Sequence, residues 1–269
     1  MVLFPNCKIN LGLHITAKRK DGYHELETVF FPVPLKDVIE LIRSDELHFQ
    51  AYGLAIPGDI DTNLCVKAYR LLKQDFSDLP PVDMRLYKKI PMGAGLGGGS
   101  SDGAFMLKAL NDKFQLQLDD RQLREYAGRL GSDCPFFLVN QPCYATGRGE
   151  LLEPVALDLS GHSIVFIHPG VHVKTAWAFA QLKPARPERS IKEIIGGPLS
   201  DWKTFLTNDF EKPVIKEYPQ LASLKDKLYS AGAVYASMTG SGSSFFGIFP
   251  KEIDPVFPAE EDFQVVRLT

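Results

Sequence analysis

Pro91-Met-Gly-Ala-Gly-Leu-Gly-Gly-Gly-Ser-Ser101 is the densest run of glycine in this 269-residue chain. Five of the seven residues from 93 to 99 are glycine. Without Cβ atoms, successive amides along such a run can approach a ligand closely. Ser100-Ser-Asp102 then opens an expected helix, whose unpaired N–H groups and dipole attract an anion. Together these features predict a phosphate cradle.

Three kinds of loop compete for that sequence. Gly93-Ala-Gly-Leu-Gly-Gly98 satisfies the G-x-G-x-x-G spacing of a dinucleotide site, but a lone match is weak evidence. The segment before it, Val82-Asp-Met-Arg-Leu86, alternates apolar and polar residues, whereas the first strand of a dinucleotide fold is buried on both faces. Pro91 also interrupts that approach. A P-loop fails because no lysine follows the last glycine. A bare turn needs neither five glycines nor two helix-opening serines. A triphosphate site of neither standard type is the reading that remains, with dinucleotide binding second.

Outward from the loop, the chain alternates short strands and helices. Lys8–Ile15 is a strand with Ile9, Leu11, Leu13 and Ile15 on one face and Lys8, Asn10, Gly12 and His14 on the other, expected to be solvated. Lys18–Gly22 is a polar turn, and Glu25–Val33 resumes a strand, so Tyr23 and His24 lie just past a hairpin tip. Asp61-Thr-Asn63 caps a helix carrying Leu64, Ala68, Leu71 and Leu72. A helix from about Ser101 buries Ala104, Leu107, Leu110 and Phe114; another starts at Asp119 or Asp120 and stops at Gly131.

Past residue 155 the pattern restarts. Strands are expected at Ser163–His168, Ala233–Met238, Ser244–Phe249 and Phe263–Leu268, with helices at Thr175–Leu182 and Leu221–Tyr229. Lys183–Arg189 is the most linker-like stretch and is expected to be an internal loop. Alternating rather than uniformly apolar strands predict an α+β fold with antiparallel sheets.

Composition excludes more than it assigns. Net charge is −3, which offers no footprint for nucleic acid. No apolar run is long enough to span a bilayer, and Met1–Lys8 lacks the regions of a signal peptide. Cys7, Cys65, Cys134 and Cys143 have no zinc or redox spacing and fit reduced thiols of a cytoplasmic protein.

Phosphoryl transfer to an alcohol needs a group to accept or orient the hydroxyl proton and cations to offset phosphate charge. Asp133, in Ser132-Asp-Cys-Pro135 just past a helix, is the best-placed carboxylate, and an Asx-turn or cap is an equal reading. Thr239-Gly-Ser-Gly-Ser243 is either a hairpin connection or a second set of amides for a phosphate. Any metal is better sought as Mg2+ carried in with the nucleotide.

Taken together these segments are a recognisable set. The glycine run resembles the ATP loop of the GHMP kinase superfamily, which includes galactokinase and the homoserine, mevalonate and phosphomevalonate kinases. Lys8-Ile-Asn-Leu11, Asp21-Gly-Tyr-His24, Gly131-Ser-Asp-Cys-Pro-Phe136 and Met238-Thr-Gly-Ser-Gly-Ser-Ser244 narrow the resemblance to the branch that acts on a cytidyl diphosphate sugar alcohol in the non-mevalonate isoprenoid pathway. The match runs from about residue 5 to 249.

The resemblance implies a ribosomal-S5-like N-terminal domain over 1–155 and a ferredoxin-like C-terminal domain over 156–269. Lys8 and Asp133 would be catalytic. Pro91, Met92, Gly93, Ala94, Gly95, Leu96, Gly97, Gly98, Gly99, Ser100 and Ser101 would hold ATP, with Mg2+ near Ser100 or Ser101. Asn10, Tyr23, His24, Thr175, Phe179, Gly240 and Ser241 would bind substrate, with the cytosine stacked between Tyr23 and Phe179 and hydrogen-bonded by His24. Partners would be ATP and the small-molecule substrate, with no nucleic acid or membrane, and the protein a monomer or weak homodimer. Another kinase of the superfamily, or a nucleotide-binding protein without catalysis, is the alternative. Both Lys8 and Asp133 are present, which speaks for catalysis.

Overall fold

Alternation, caps and glycine stops build a chain of short strands and helices, described in a computed structural model for residues 1–257 and 264–268. The strands are β1 (Val2–Leu3), β2 (Asn6–Lys18), β3 (His24–Lys36), β4 (Val38–Arg43), β5 (His48–Gly53) and β6 (Val82–Lys88). They continue as β7 (Cys143–Thr146), β8 (Leu151–Pro154), β9 (His162–His168), β10 (Tyr235–Met238), β11 (Phe245–Pro250) and β12 (Gln264–Leu268). Phe263, expected to open the last strand, lies outside the described residues.

Two compact units divide the chain, and they interleave in sequence. The first comprises Met1–Lys8, Pro32–Met92 and Gly97–Asn140. Its sheet has the order β1-β4-β6-β5. The antiparallel expectation fails at one pair, because β5 runs parallel to β6. The same unit holds the helices Leu64–Asp75, Gly98–Phe114, Asp120–Leu130 and Cys134–Val139, which pack on one another, with Gly98–Phe114 against β4. Each start has a local cause. Asn63 Oδ1 accepts the Cys65 N–H, and Asp119 with Gln122 forms a capping box. The glycine-loop helix starts at Gly98, three residues before the expected Ser101, after Gly97 in the left-handed conformation.

The second unit comprises Ile9–Phe31, Gly93–Leu96 and Gln141 onward. It holds two antiparallel sheets, β2-β3-β7-β8 and β10-β11-β9-β12. Asn6–Lys8 of β2 and the end of β3 belong to the first unit. Leu13, Ile15 and Leu26 from the first sheet share a core with Val165, Ile167, Met238 and Phe245 from the second. The observed architecture is the expected α+β class. Short helices at Ile191–Ile195, Leu199–Phe205 and Glu211–Glu217 add elements that periodicity did not predict.

Candidate active site

In the first unit, β2 delivers Lys8 and the bend after the Asp120–Leu130 helix delivers Asp133. Lys8 was expected on a solvated face but is 3% exposed. Its Nζ lies 3.5 Å from Asp133 Oδ2. Asp133 occupies the N-cap position of the Cys134–Val139 helix, yet its side chain makes no cap hydrogen bond. The capping alternative is therefore not the one adopted, and the carboxylate stays one-third exposed beside the lysine. A Cβ placed on Gly97 would lie 3.2 Å from Lys8 Cε, so the lysine stem runs directly under the glycine loop. A side chain at 97 would crowd that stem and also Phe137 Cζ, which would lie 3.0 Å from the Cβ.

Ser100 is half-buried, whereas Ser101 is fully buried with a hydroxyl that has no partner. Beneath the loop, Lys88 Nζ donates to Asp37 Oδ2 at 2.5 Å and to Asp102 Oδ2 at 2.7 Å. Asp37 Oδ1 in turn accepts from the amides of Lys89 and Ile90, at 2.6 and 2.8 Å, and so holds the chain entering Pro91. A cavity of about 150 Å³ opens beside the loop, lined by Ile56, Pro57, Asn63, Leu64, Met92, Gly99 and Asp102 among others. Met92, Gly99 and Asp102 belong to the expected loop and helix start, and Asn63 and Leu64 to the expected first helix, but no sequence signal pointed to Ile56 or Pro57. The cavity arises where three separated segments meet, and no local pattern marks it.

In the second unit, Thr239 joins the remaining parts. Its Oγ1 accepts the Asn10 N–H at 3.1 Å and donates to Gly95 O at 3.0 Å. Asn10, also expected to be solvated, is 2% exposed and donates to Thr28 Oγ1 at 3.0 Å. Thr239–Ser243 does connect β10 to β11, and its backbone also lies on the glycine loop. A Cβ on Gly95 would fall 2.0 Å from Thr239 O. Thr175 and Ser241 share a hydrogen bond at 3.1 Å. His172, not foreseen, packs against the loop, since a Cβ on Gly93 would lie 2.4 Å from its Nδ1.

The aromatic clamp differs from expectation. Phe179 stacks on His24, with ring centroids 5.0 Å apart and planes at 23°. Tyr23 instead stands 57% exposed, with the Arg148 guanidinium 4.8 Å over its ring. Desolvation lowers the His24 pKa, which keeps the imidazole neutral near pH 7 and able both to donate and to accept. Burial pushes the Cys134 thiol up to about 12, so the cysteine beside Asp133 is a packed apolar residue, as expected. Among the described residues no group of three His, Cys, Asp or Glu side chains could hold a metal ion.

Residues 63–141 match the family model of the GHMP kinases N terminal domain, and 190–257 that of the GHMP kinases C terminal domain. A 4-diphosphocytidyl-2-C-methyl-D-erythritol kinase of Bacteroides fragilis is 55% identical over 256 residues, covering 94% of this chain and 93% of the relative. The protein of that name from Chlorobium phaeobacteroides is 41% identical, covering 90% of this chain and 84% of its own. A crystal structure of 4-(cytidine 5'-diphospho)-2C-methyl-D-erythritol kinase superposes with a TM-score of 0.80 at 34% identity, over 92% of this chain and 90% of that one. A mevalonate kinase structure, at a TM-score of 0.69 and 14% identity over 99% of this chain and 98% of that one, shares the fold.

Proposed function

The chain belongs to the 4-diphosphocytidyl-2-C-methyl-D-erythritol kinases of the GHMP kinase superfamily, and from that membership we propose how its residues divide the work. The enzyme transfers a phosphoryl group from ATP to the 2-hydroxyl of 4-diphosphocytidyl-2-C-methyl-D-erythritol, in the non-mevalonate isoprenoid pathway. One observation carries the catalytic assignment: an uncapped, accessible Asp133 beside a buried Lys8 that runs under Gly97. Asp133 accepts or orients the hydroxyl proton, and Lys8 offsets charge on the transferred group.

Residues 91–101 hold the ATP phosphates. The cavity of about 150 Å³ suits the adenine, because apolar Ile56, Leu64 and Met92 can cover its faces while Asn63 and Asp102 meet its edges. The orphaned Ser101 hydroxyl fits a Mg2+ ion arriving with ATP, whose other ligands would be phosphate oxygens and water. The ion would offset phosphate charge. Cytosine enters between Tyr23 and Phe179, taking the place His24 now holds on the phenylalanine ring and gaining hydrogen bonds from the displaced imidazole. Asn10, Thr175, Gly240 and Ser241 complete the substrate contacts.

The functional domains in this reading are 1–155 and 156–269, in keeping with family-model matches that end at 141 and resume at 190. No helix among the described residues is long and apolar enough to cross a membrane. We place the enzyme in the cytoplasm, as a monomer or weak homodimer working without nucleic acid or membrane. A coupled ADP-release assay with the cytidyl substrate tests the assignment. Asp133→Asn should lower kcat by about 10²–10⁴-fold. A wild-type protein that releases no ADP with this substrate, or an Asp133→Asn variant at full rate, would refute it.

A further inference from the structure

Thr207-Asn-Asp-Phe-Glu211 lies far along the chain from the glycine loop, yet four side-chain hydrogen bonds tie it to Ser237–Gly240. Asn208 is 4% exposed. Its Oδ1 accepts the Phe210 N–H at 2.9 Å, which orients the amide so that Nδ2 faces the turn. Nδ2 then donates to Met238 O at 2.8 Å and to Gly240 O at 2.9 Å. Glu211 Oε1 accepts from Ser237 Oγ and from the Met238 N–H, both at 2.9 Å. Both backbone polar groups of Met238 are thus held by side chains three positions apart. β10 is an edge strand, so these groups would otherwise be buried without sheet partners on that side.

The support is itself anchored. Leu13 of β2 accepts from Asp209 N and donates to Thr207 O, both at 2.9 Å. At the other end, turn and glycine loop meet backbone to backbone. A Cβ on Gly240 would lie 3.1 Å from Gly95 Cα, and Thr239 bonds Gly95 O directly. No flexible side chain lies between them to absorb a shift, so displacement of the turn passes to Gly95.

We propose that Asn208 and Glu211 are positioning residues for phosphoryl transfer, holding the Thr239–Ser243 turn where Thr239 locks Gly95 of the ATP loop. Neither touches a reacting atom. The inference rests on the kinase reading of this loop. Misplacing a phosphate-binding segment by about 1 Å can cost about 10²-fold in rate.

The test compares Asn208→Ala, Glu211→Ala, Glu211→Gln and Lys225→Ala in the ADP-release assay, with thermal midpoints and amide hydrogen exchange of Gly93–Leu96. Asn208→Ala and Glu211→Ala should lower kcat by about 10–10²-fold and speed exchange at Gly95. Glu211→Gln keeps the Oε1 acceptor and should stay near wild type. Lys225→Ala removes only the outer ion pair to Glu211, 2.8 Å long, and should change kcat by less than about threefold. Variants that lose thermal stability but keep kcat, or a Glu211→Gln as damaged as Glu211→Ala, would overturn the proposal. Should Asn208→Ala fail to fold, the two Glu211 variants decide. A wild-type protein inert with the substrate refutes the kinase reading alone, since hydrogen exchange tests the clamp without substrate.

Discussion

Replacing Asp102 by asparagine should make the protein more stable relative to wild type as the pH rises. One cation, Lys88, serves two buried carboxylates, and it serves them unequally. Asp37 also takes two backbone amides, whereas Asp102 accepts from Lys88 on Oδ2, has no hydrogen-bond partner on Oδ1 and faces the Asp37 carboxylate. Burial, with the neighbouring Asp37 carboxylate adding to it, pushes the Asp102 carboxyl up to about 7 although Lys88 pulls it down. A folded-state pKa above the unfolded value means that the neutral form favours folding. That stabilisation is complete below the unfolded value of 3.8 and is lost as pH climbs through about 7. Three pKa units correspond to about 4 kcal/mol, of which roughly 3 kcal/mol falls between pH 5 and 8.5. Asparagine stays neutral throughout and keeps an oxygen for Lys88. At about 2–4 °C per kcal/mol, the difference in thermal midpoint should move by about 6–12 °C in favour of Asp102→Asn between those pH values. Calorimetry at both pH values measures it. A difference that does not change with pH, or that moves toward wild type at pH 8.5, would show that Asp102 is ionised throughout and refute the reasoning.

Three further outcomes follow from the same geometry. Gly95→Ala would set a Cβ 2.0 Å from Thr239 O at a φ of +76°, and should lower kcat by about 10²-fold in the ADP-release assay. Lys88→Met leaves two buried carboxylates without their cation and should cost about 3–5 kcal/mol in chemical denaturation at pH 8. Tyr23→Ala and Phe179→Ala should each raise KM for the cytidyl substrate about 3–10-fold and leave KM for ATP unchanged. An equal rise for ATP would argue against the aromatic clamp.

Local patterns predicted most elements that have a local cause. The hairpin of β2 and β3, the alternation of β6 and the helix caps at Asn63 and Asp119 all appear where expected. Elements too short for a period were missed. β5 is largely exposed, pairs parallel with β6 and carries no clean alternation. The Ile191–Ile195 helix spans five residues, and its only signal was the capping box of Ser190 and Glu193. Tyr23 and Phe179 were the expected facing pair, but His24 is the ring that stacks on Phe179, which packs half-buried against the core, whereas the exposed Tyr23 ring lies under Arg148.

By itself the sequence determined the family, the α+β class and the backbone freedom of the glycine loop. Gly93, Gly95 and Gly97 all adopt positive φ, a requirement written in residue type alone. Alternation along Lys8–Ile15 correctly separated two faces but could not say what covers the second. Only the tertiary structure decided that Lys8 and Asn10 are buried, that Asp133 meets Lys8 instead of capping a helix, and that Asn208 reaches the turn at 238–240. The physical reason is one of range. Caps, turns and periods act over a few residues, whereas these contacts join groups from 30 to 125 positions apart. No local residue pattern records such a partner until the chain has folded.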